Sequence, residues 1–200
     1  MKKFSKLLIL IIVCIMAFTG CSSSKKDEST EEDYMGTASD AVYNYYRAMF
    51  RLDPDYVDYL APKAYWDYLS EEEELTIKNI KEYIEDEEYI DYVNDTYETL
   101  VGKNASVTYE IADKNPAEDS TAETIKNHLE SKYNIEKSSI QEVIEIEIEL
   151  TIKGEDDEDT SETTVNAVEI SGNWFLLTSK GEFVVEEIIQ MHNLSQLIRL

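Results

Sequence analysis

Cysteine, histidine, proline and glycine are all scarce in this sequence of 200 residues. It contains 2 cysteines, 2 histidines, 3 prolines and 6 glycines. The two histidines, His128 and His192, are far apart in the chain, so they do not form the clustered pattern of a zinc site or of a Ser-His-Asp triad. We therefore interpret both as surface residues. The sequence predicts neither a metal site nor a cofactor.

Basic residues are also few. The chain has 18 Lys and Arg against 43 Asp and Glu, which gives a formal net charge of −25. Such a charge repels phosphate backbones and therefore excludes nucleic acid as a partner, while cationic partners remain compatible with it. The acidic run 155–159 lacks the spaced ligands of an EF-hand loop, so we interpret it as a solvated hairpin tip.

The sequence has one long hydrophobic run, and it lies close to the N-terminus. Lys2, Lys3 and Lys6 precede the apolar run Leu7–Phe18. This run is shorter than the roughly 20 apolar residues of a membrane-spanning helix. The pattern predicts a signal peptide over residues 1–20. The alternative is an N-terminal helix that is not cleaved.

A short motif follows the hydrophobic run. Phe18-Thr19-Gly20-Cys21 resembles the lipobox of bacterial lipoproteins, although Phe18 stands where lipoboxes usually carry an aliphatic residue. The resemblance implies cleavage between Gly20 and Cys21 and a diacylglycerol on the thiol of Cys21. The mature chain would then be anchored by lipid to the extracytoplasmic face of the cell membrane. Since Cys14 would leave with the signal peptide, no thiol would remain for disulfide or redox chemistry.

The residues after the lipobox have a different composition from the rest of the chain. Ser22–Asp33 contains no apolar residue and is rich in Ser, Lys, Glu and Asp. Such a segment cannot bury apolar surface, so we expect residues 21–35 to comprise the lipidated cysteine and a disordered tether. The remaining residues, 36–200, are numerous enough for a single domain with a hydrophobic core.

The first half of this domain has the apolar spacing of α-helices. Asp53 before Pro54 predicts the start of a short helix. Ser70 with Glu73 predicts a capping box, and Gly102 predicts the end of the last helix of this half. The predicted helical segments are 39–51, 54–60, 62–69, 70–84 and 89–100.

The second half changes to the spacing of β-strands. Val107–Ile111 alternates apolar and polar residues, and Ile144–Ile152 does so over a longer stretch, which predicts two half-buried strands. Between them, Ser120 with Glu123 predicts a capping box at the start of a helix. The remaining predicted elements are an acidic turn at 154–161, strands at 163–170 and 174–177 joined by a tight turn at 171–173, and a helical tail at 186–200.

This order of elements predicts an α+β fold, with N-terminal helices packed on an antiparallel sheet and a C-terminal helical tail. The segments 41–48 and 168–176, whose sequences are AVYNYYRA and VEISGNWFL, resemble the first helix and the last hairpin of small NTF2-like (cystatin-like) α+β domains. Lipoproteins of low-GC Gram-positive bacteria often join a lipobox to such a domain. The resemblance implies a cone in which a curved sheet wraps the helices and leaves a cavity at the wide end.

Tyrosine is the one enriched residue type, with 14 in the chain. Tyrosine and tryptophan combine an apolar ring with a polar atom, which suits the wall of a pocket. Our candidate pocket residues are Tyr46, Trp66 and Tyr109. Ordinary packing between helices and sheet would use the same residue types.

The NTF2-like fold is shared by binders, scaffolds and enzymes, so it does not decide the function. We predict a non-catalytic binding or interaction module, anchored to the membrane through Cys21, with a protein or small molecule as its partner. The alternatives are a cavity enzyme and a structural accessory of an envelope complex. A buried carboxylate or histidine with a shifted pKa in the cavity would favour the enzyme, and a flat exposed apolar patch would favour the accessory role.

Overall fold

The helices and strands follow the predicted order, and the α+β class is confirmed. The computed structural model describes residues 35–197, so the predicted signal peptide, Cys21, the tether up to residue 34 and residues 198–200 lie outside the described residues. The α-helices are α1 Ala38–Phe50, α2 Lys63–Glu72, α3 Ile77–Glu85, α4 Glu87–Val101, α5 Asp119–Tyr133 and α6 Val185–Leu197. The strands are β1 Ser106–Pro116, β2 Ile140–Lys153, β3 Glu158–Ile170 and β4 Asn173–Leu177. Two 3-10 helices cover Pro54–Tyr59 and Lys137–Ser139.

The four strands form one antiparallel sheet in the order β1-β2-β3-β4. The predicted meander of β2, β3 and β4 is therefore confirmed. Its second turn has positive φ at both Ser171 (54°) and Gly172 (84°), as a two-residue hairpin turn requires. β4 is short and pairs only with residues 166–170, so the first half of β3 has a partner strand on one side only.

Strand β2 has the alternation that the sequence predicts. Ile146, Ile148 and Leu150 are buried, whereas Glu147 between them is exposed. Because successive side chains of a strand point to opposite faces, this pattern orients one face of the sheet toward the core. Helix α1 contacts the sheet on β4, β3 and β1, and helix α4 contacts it on β2 and β3. Helix α6 packs on α3 and α4, and Ile188 and Ile189 bury its inner face.

Two predicted helix starts are wrong. Ser70 lies inside α2, and the capping box belongs instead to Thr76 and Asn79, whose side chains accept hydrogen bonds from each other's backbone N–H at the start of α3. The chain leaves the helical conformation between α2 and α3 because Glu74 adopts a positive φ of 56°. The predicted box of Ser120 and Glu123 is not formed, because the N-cap of α5 is Glu118, two residues before Ser120.

The predicted acidic turn 154–161 is too long. β3 already begins at Glu158, and its first residues pair with the end of β2, where Lys153 Nζ lies 2.6 Å from Glu158 Oε2. The actual turn packs on the end of α4, since Asp156 N and Asp157 N each donate to Val101 O at 3.1 Å. The acidic side chains of the turn are exposed, as predicted for a hairpin tip.

Candidate functional site

A cavity of about 190 Å³ lies between the helices and the long strands. Helices α1, α4 and α6 form its helical wall, and β1, β2 and β3 form its sheet wall. Representative apolar residues of the wall are Val42, Met49, Val93, Ile148, Leu150 and Leu194. Among the lining residues, Asp159 of β3 and Gln190 of α6 are exposed to solvent, and they mark the opening of the cavity.

The periodicity of the elements explains which residues reach the cavity. Helix α1 contributes Val42, Tyr45, Tyr46 and Met49, which share one face at the spacing of three to four residues. Strand β2 contributes large aliphatic side chains to the cavity wall. The residues of the neighbouring strand β3 that pair with them are Asp159, Ser161 and Thr163. These β3 side chains are small or polar. Because they fill little volume, they leave space beside the larger side chains of β2.

Aromatic rings form much of the helical wall. The rings of Tyr46 and Tyr109 lie 4.7 Å apart between centroids, and Tyr45 meets Phe50 edge to face at 5.7 Å. Tyr46 is fixed in place because its hydroxyl donates to Val107 O at 2.6 Å. Burial raises the pKa of Tyr109 to about 12 and raises the pKa of Tyr97, another residue of the wall, well above its ordinary value. Both phenols therefore stay neutral at physiological pH.

One carboxyl group lies in this largely apolar wall. Glu187 of α6 accepts a hydrogen bond from the hydroxyl of Tyr45, with 2.6 Å between the hydroxyl oxygen and Oε2. Burial raises the pKa of Glu187, and the hydrogen bond from Tyr45 offsets this only in part. Burial and the nearby Glu187 also raise the pKa of Tyr45. Within residues 35–197, no Lys, Arg or His forms an ion pair with Glu187.

The structure brings two of the three predicted pocket residues together. Tyr46 and Tyr109 both line the cavity, whereas Trp66 does not. Trp66 lies in α2, is 8% exposed, and donates its indole N–H to Ala61 O at 2.9 Å. Its ring meets that of Tyr65 edge to face, so it belongs to the packed core.

The sequence-based prediction did not include Tyr45 and Glu187. Glu187 is hard to find because it is one of 43 acidic residues. A signal was nonetheless available, since Glu187, Met191 and Leu194 follow at helical spacing and so share one face of α6. A carboxylate on the same helix face as apolar residues is a candidate for a site.

The histidines lie outside the cavity wall, and both are half-buried rather than surface residues. His128 Nε2 is 3.2 Å from Glu182 Oε1. His192 stacks on Tyr83 with 3.7 Å between ring centroids, and burial lowers its pKa. Their burial follows from the packing of α5 and α6, which sequence spacing alone did not indicate.

Residues 35–197 have no group of three or more His, Cys, Asp or Glu side chains that could hold a metal ion. None of the helices in this part of the chain is long and apolar enough to cross a membrane. The chain matches no protein-family model, and neither a curated protein nor a solved structure shows significant similarity to it.

Proposed function

We propose that this protein is a binding module, anchored by lipid on Cys21 at the outer face of the cell membrane, that takes a small and largely apolar molecule into its cavity. The cavity carries this proposal. An apolar cavity of about 150 Å³ is large enough for benzene. The cavity here, at about 190 Å³, suits a molecule slightly larger than benzene, or one group of a larger molecule.

The chemistry of the wall supports binding. Ligand pockets combine apolar and aromatic walls with a few polar groups that orient the ligand. Here the polar groups are Glu187 at the wall and Asp159 and Gln190 at the opening. A ligand would bury its apolar part against the rings and present its polar part to one of these groups.

We also propose that the fold is NTF2-like. Three long antiparallel strands, with a register shift in β1 between Ile111 and Asp113, and a helix-lined cavity on the inner side of the sheet support this assignment. A bulge bends its strand and increases the local twist, as a sheet that wraps helices requires. The assignment is compatible with binding and with catalysis.

A cavity enzyme is the second candidate, and Glu187 favours it. A carboxyl group with a raised pKa in an apolar cavity can act as a general acid or base. The binding module stands first because the only hydrogen-bond donor to Glu187 within residues 35–197 is the phenol of Tyr45, which stays neutral. Steady conversion of a bound ligand that stops in a Glu187→Gln variant would favour the enzyme.

The cavity can be tested with two neighbouring threonines of β3. Thr163 lines the cavity, whereas Thr164 is exposed on the other face of the strand. We expect the full chain in phosphatidylcholine vesicles to bind toluene, as followed by calorimetry against empty vesicles. Thr163→Trp should abolish binding by filling the cavity, and Thr164→Trp should leave it unchanged. Equal binding by both variants would contradict the proposal.

The anchor can be tested separately. Wild-type protein from bacterial membranes should carry diacylglycerol on Cys21 by mass spectrometry and lack residues 1–20. A Cys21→Ala variant should remain uncleaved at Gly20. An unmodified Cys21 in the mature wild-type protein would contradict lipid anchoring but would leave the cavity proposal intact.

A further inference from the structure

No cation of residues 35–197 forms an ion pair with Glu187, although its place in the first turn of α6 brings it near the positive end of the helix dipole. Asp53 and Glu182, which are also partly buried, lie beside Arg47 and Lys132, whereas Glu186 likewise has no ion pair within these residues but does not line the cavity. Glu187 has only the hydroxyl of Tyr45. A carboxylate that is partly removed from water without a cation costs free energy.

The side chain of Glu187 lines the cavity and is half-buried. Its Oε2 atom accepts from Tyr45, while Oε1 accepts no hydrogen bond from residues 35–197. The rings of Phe50, Tyr97 and Tyr109 line the same cavity. The face of an aromatic ring attracts a cation within about 6 Å of its centre. Carboxylate and ring faces therefore attract the same kind of charge.

We propose that the ligand of this cavity is an organic amine, whose ammonium group pairs with Glu187 and whose apolar body packs against the aromatic and aliphatic wall. This inference rests on the proposed function, because it names the chemical class of the ligand for that same cavity. The volume of about 190 Å³ limits the buried part of the amine to one ring or a short alkyl chain.

Three further observations support an amine. The formal net charge of −25 concentrates cations near the protein and disfavours an anionic ligand. Asp159, a second carboxylate, lies at the opening of the cavity, on the path of an entering cation. Burial raises the pKa of Glu187, and an ammonium group would reverse this by supplying the missing positive charge.

A neutral ligand is the competing interpretation. If Glu187 remains protonated in the complex, it would donate a hydrogen bond to a carbonyl or hydroxyl oxygen of the ligand. The two ligand classes differ in charge but can have the same shape. A pair of isosteric probes therefore separates them.

The probes are benzylamine, which is protonated at pH 7, and benzyl alcohol, which has nearly the same shape and no charge. Their affinities for the full chain in phosphatidylcholine vesicles would be measured by calorimetry against empty vesicles. We expect benzylamine to bind at least about tenfold more tightly, because a hydrogen bond to a charged partner contributes about 1.5 to 3 kcal/mol. Glu187→Gln should remove this preference for benzylamine over benzyl alcohol.

A matched control is Glu186→Gln. Glu186 precedes Glu187 and accepts a hydrogen bond from Tyr65 at 3.1 Å, but it does not line the cavity. It carries the same formal charge, so a loss of binding in both variants would mean that benzylamine is attracted by the overall acidity of the protein. We expect Glu186→Gln to keep the preference for benzylamine.

Each outcome supports or overturns the inference. Equal affinities for the two probes, a preference for benzyl alcohol, or an equal loss in both glutamine variants would overturn the amine but leave the proposed function standing. If neither probe nor toluene binds, the proposed function fails as well. Circular dichroism of the Glu187→Gln variant would verify its fold, and the comparison of probes on the wild-type chain does not depend on any variant.

Discussion

Two of the tyrosine–glutamate pairs of this protein differ in whether a cation lies beside the carboxylate. In both, a tyrosine hydroxyl donates to a carboxylate: Tyr133 to Glu182, and Tyr45 to Glu187. Burial raises the pKa of Glu187. Burial would also raise that of Glu182, but the hydrogen bonds from Tyr133 and Lys132 outweigh it and lower the pKa.

The cation explains the difference. Lys132 Nζ lies 2.9 Å from Glu182 Oε2, and the ring of Tyr133 is surrounded by other aromatic rings, with Tyr65 at 5.2 Å and Phe183 at 5.5 Å. In that region Glu182 is paired with a cation and the aromatic rings pack against one another. Glu187 has no cation within residues 35–197, and it lines a cavity. The same pair of residue types therefore has a balanced charge in one region and a carboxyl group without a cation beside a cavity in the other.

The largest expected effect on stability comes from truncating one leucine to alanine in each region. Leu176 of β4 lies beside the Glu182 region and is 1% exposed, and Leu150 of β2 lines the cavity and is 3% exposed. Leu176→Ala should cost about 2 to 5 kcal/mol of unfolding free energy. Leu150→Ala should cost at least about 1 kcal/mol less, because one side of Leu150 already lacks contacting atoms. Urea denaturation with unchanged slopes would measure both.

Equal losses at Leu150 and Leu176 would contradict this difference between the regions. It would mean that Leu150 is packed as tightly as Leu176 and that the cavity is closed in solution. The toluene titration would then be expected to fail as well.

Replacing each of the two glutamates, Glu182 and Glu187, by glutamine should change the stability by a smaller amount and with opposite signs. Glu182→Gln should destabilise the protein by about 1 to 2 kcal/mol at pH 7, because Lys132 loses its charged partner in a half-buried site. Glu187→Gln should raise the stability, since it removes a half-buried charge that has no cation among residues 35–197. Tyr45 can still donate to the amide oxygen.

The measurement is again urea denaturation at pH 7. If both substitutions destabilised the protein to the same extent, the charge of Glu187 would have to be balanced by a cation from the solution. A Lys132→Met variant sharpens the comparison, because it should give Glu182 the unbalanced character of Glu187 and raise its pKa.

Much of this fold could be predicted from periodicity, and the reason is visible in particular elements. In β2, Ile and Glu alternate because the strand has one buried face. The type of each residue therefore indicates which face of the sheet its side chain lies on. In contrast, the break between α2 and α3 depends on the positive φ of Glu74, and glutamate carries no signal for that conformation. The predicted capping box at Ser70 failed for this reason.

The site was less predictable than the fold. Tyr46 and Tyr109 could be proposed from residue type alone, but residue type did not separate them from Trp66, which packs into the core. The pairing of Tyr45 with Glu187 joins residues 142 positions apart, and no local pattern reports such a contact. The cavity itself depends on small side chains of β3 opposite large ones of β2, which only the strand register reveals.

The smallest expected effect is a dependence of stability on pH that belongs to Glu187. Its pKa is raised above the ordinary 4.5 in the folded protein, so the folded state takes up a proton at a higher pH than the unfolded state does. The folded state then binds more protons, and stability rises as the pH falls from 7 through the raised pKa toward 4.5. Below 4.5 the two states are equally protonated at this group, and the gain from Glu187 is complete.

Subtraction of the Glu187→Gln curve isolates this contribution from other groups that titrate nearby. The raised pKa of Glu186 changes stability with pH in the same direction as that of Glu187. The lowered pKa of His192 changes stability in the opposite direction. The lowered pKa of Glu182 affects stability only below the ordinary carboxyl range. All three remain in the variant. The unfolding free energy of the wild type should therefore rise relative to that of the variant as the pH falls from 7 toward 4.5. Parallel curves would mean that Glu187 titrates as in water, and the contrast with Glu182 would then lose its electrostatic basis.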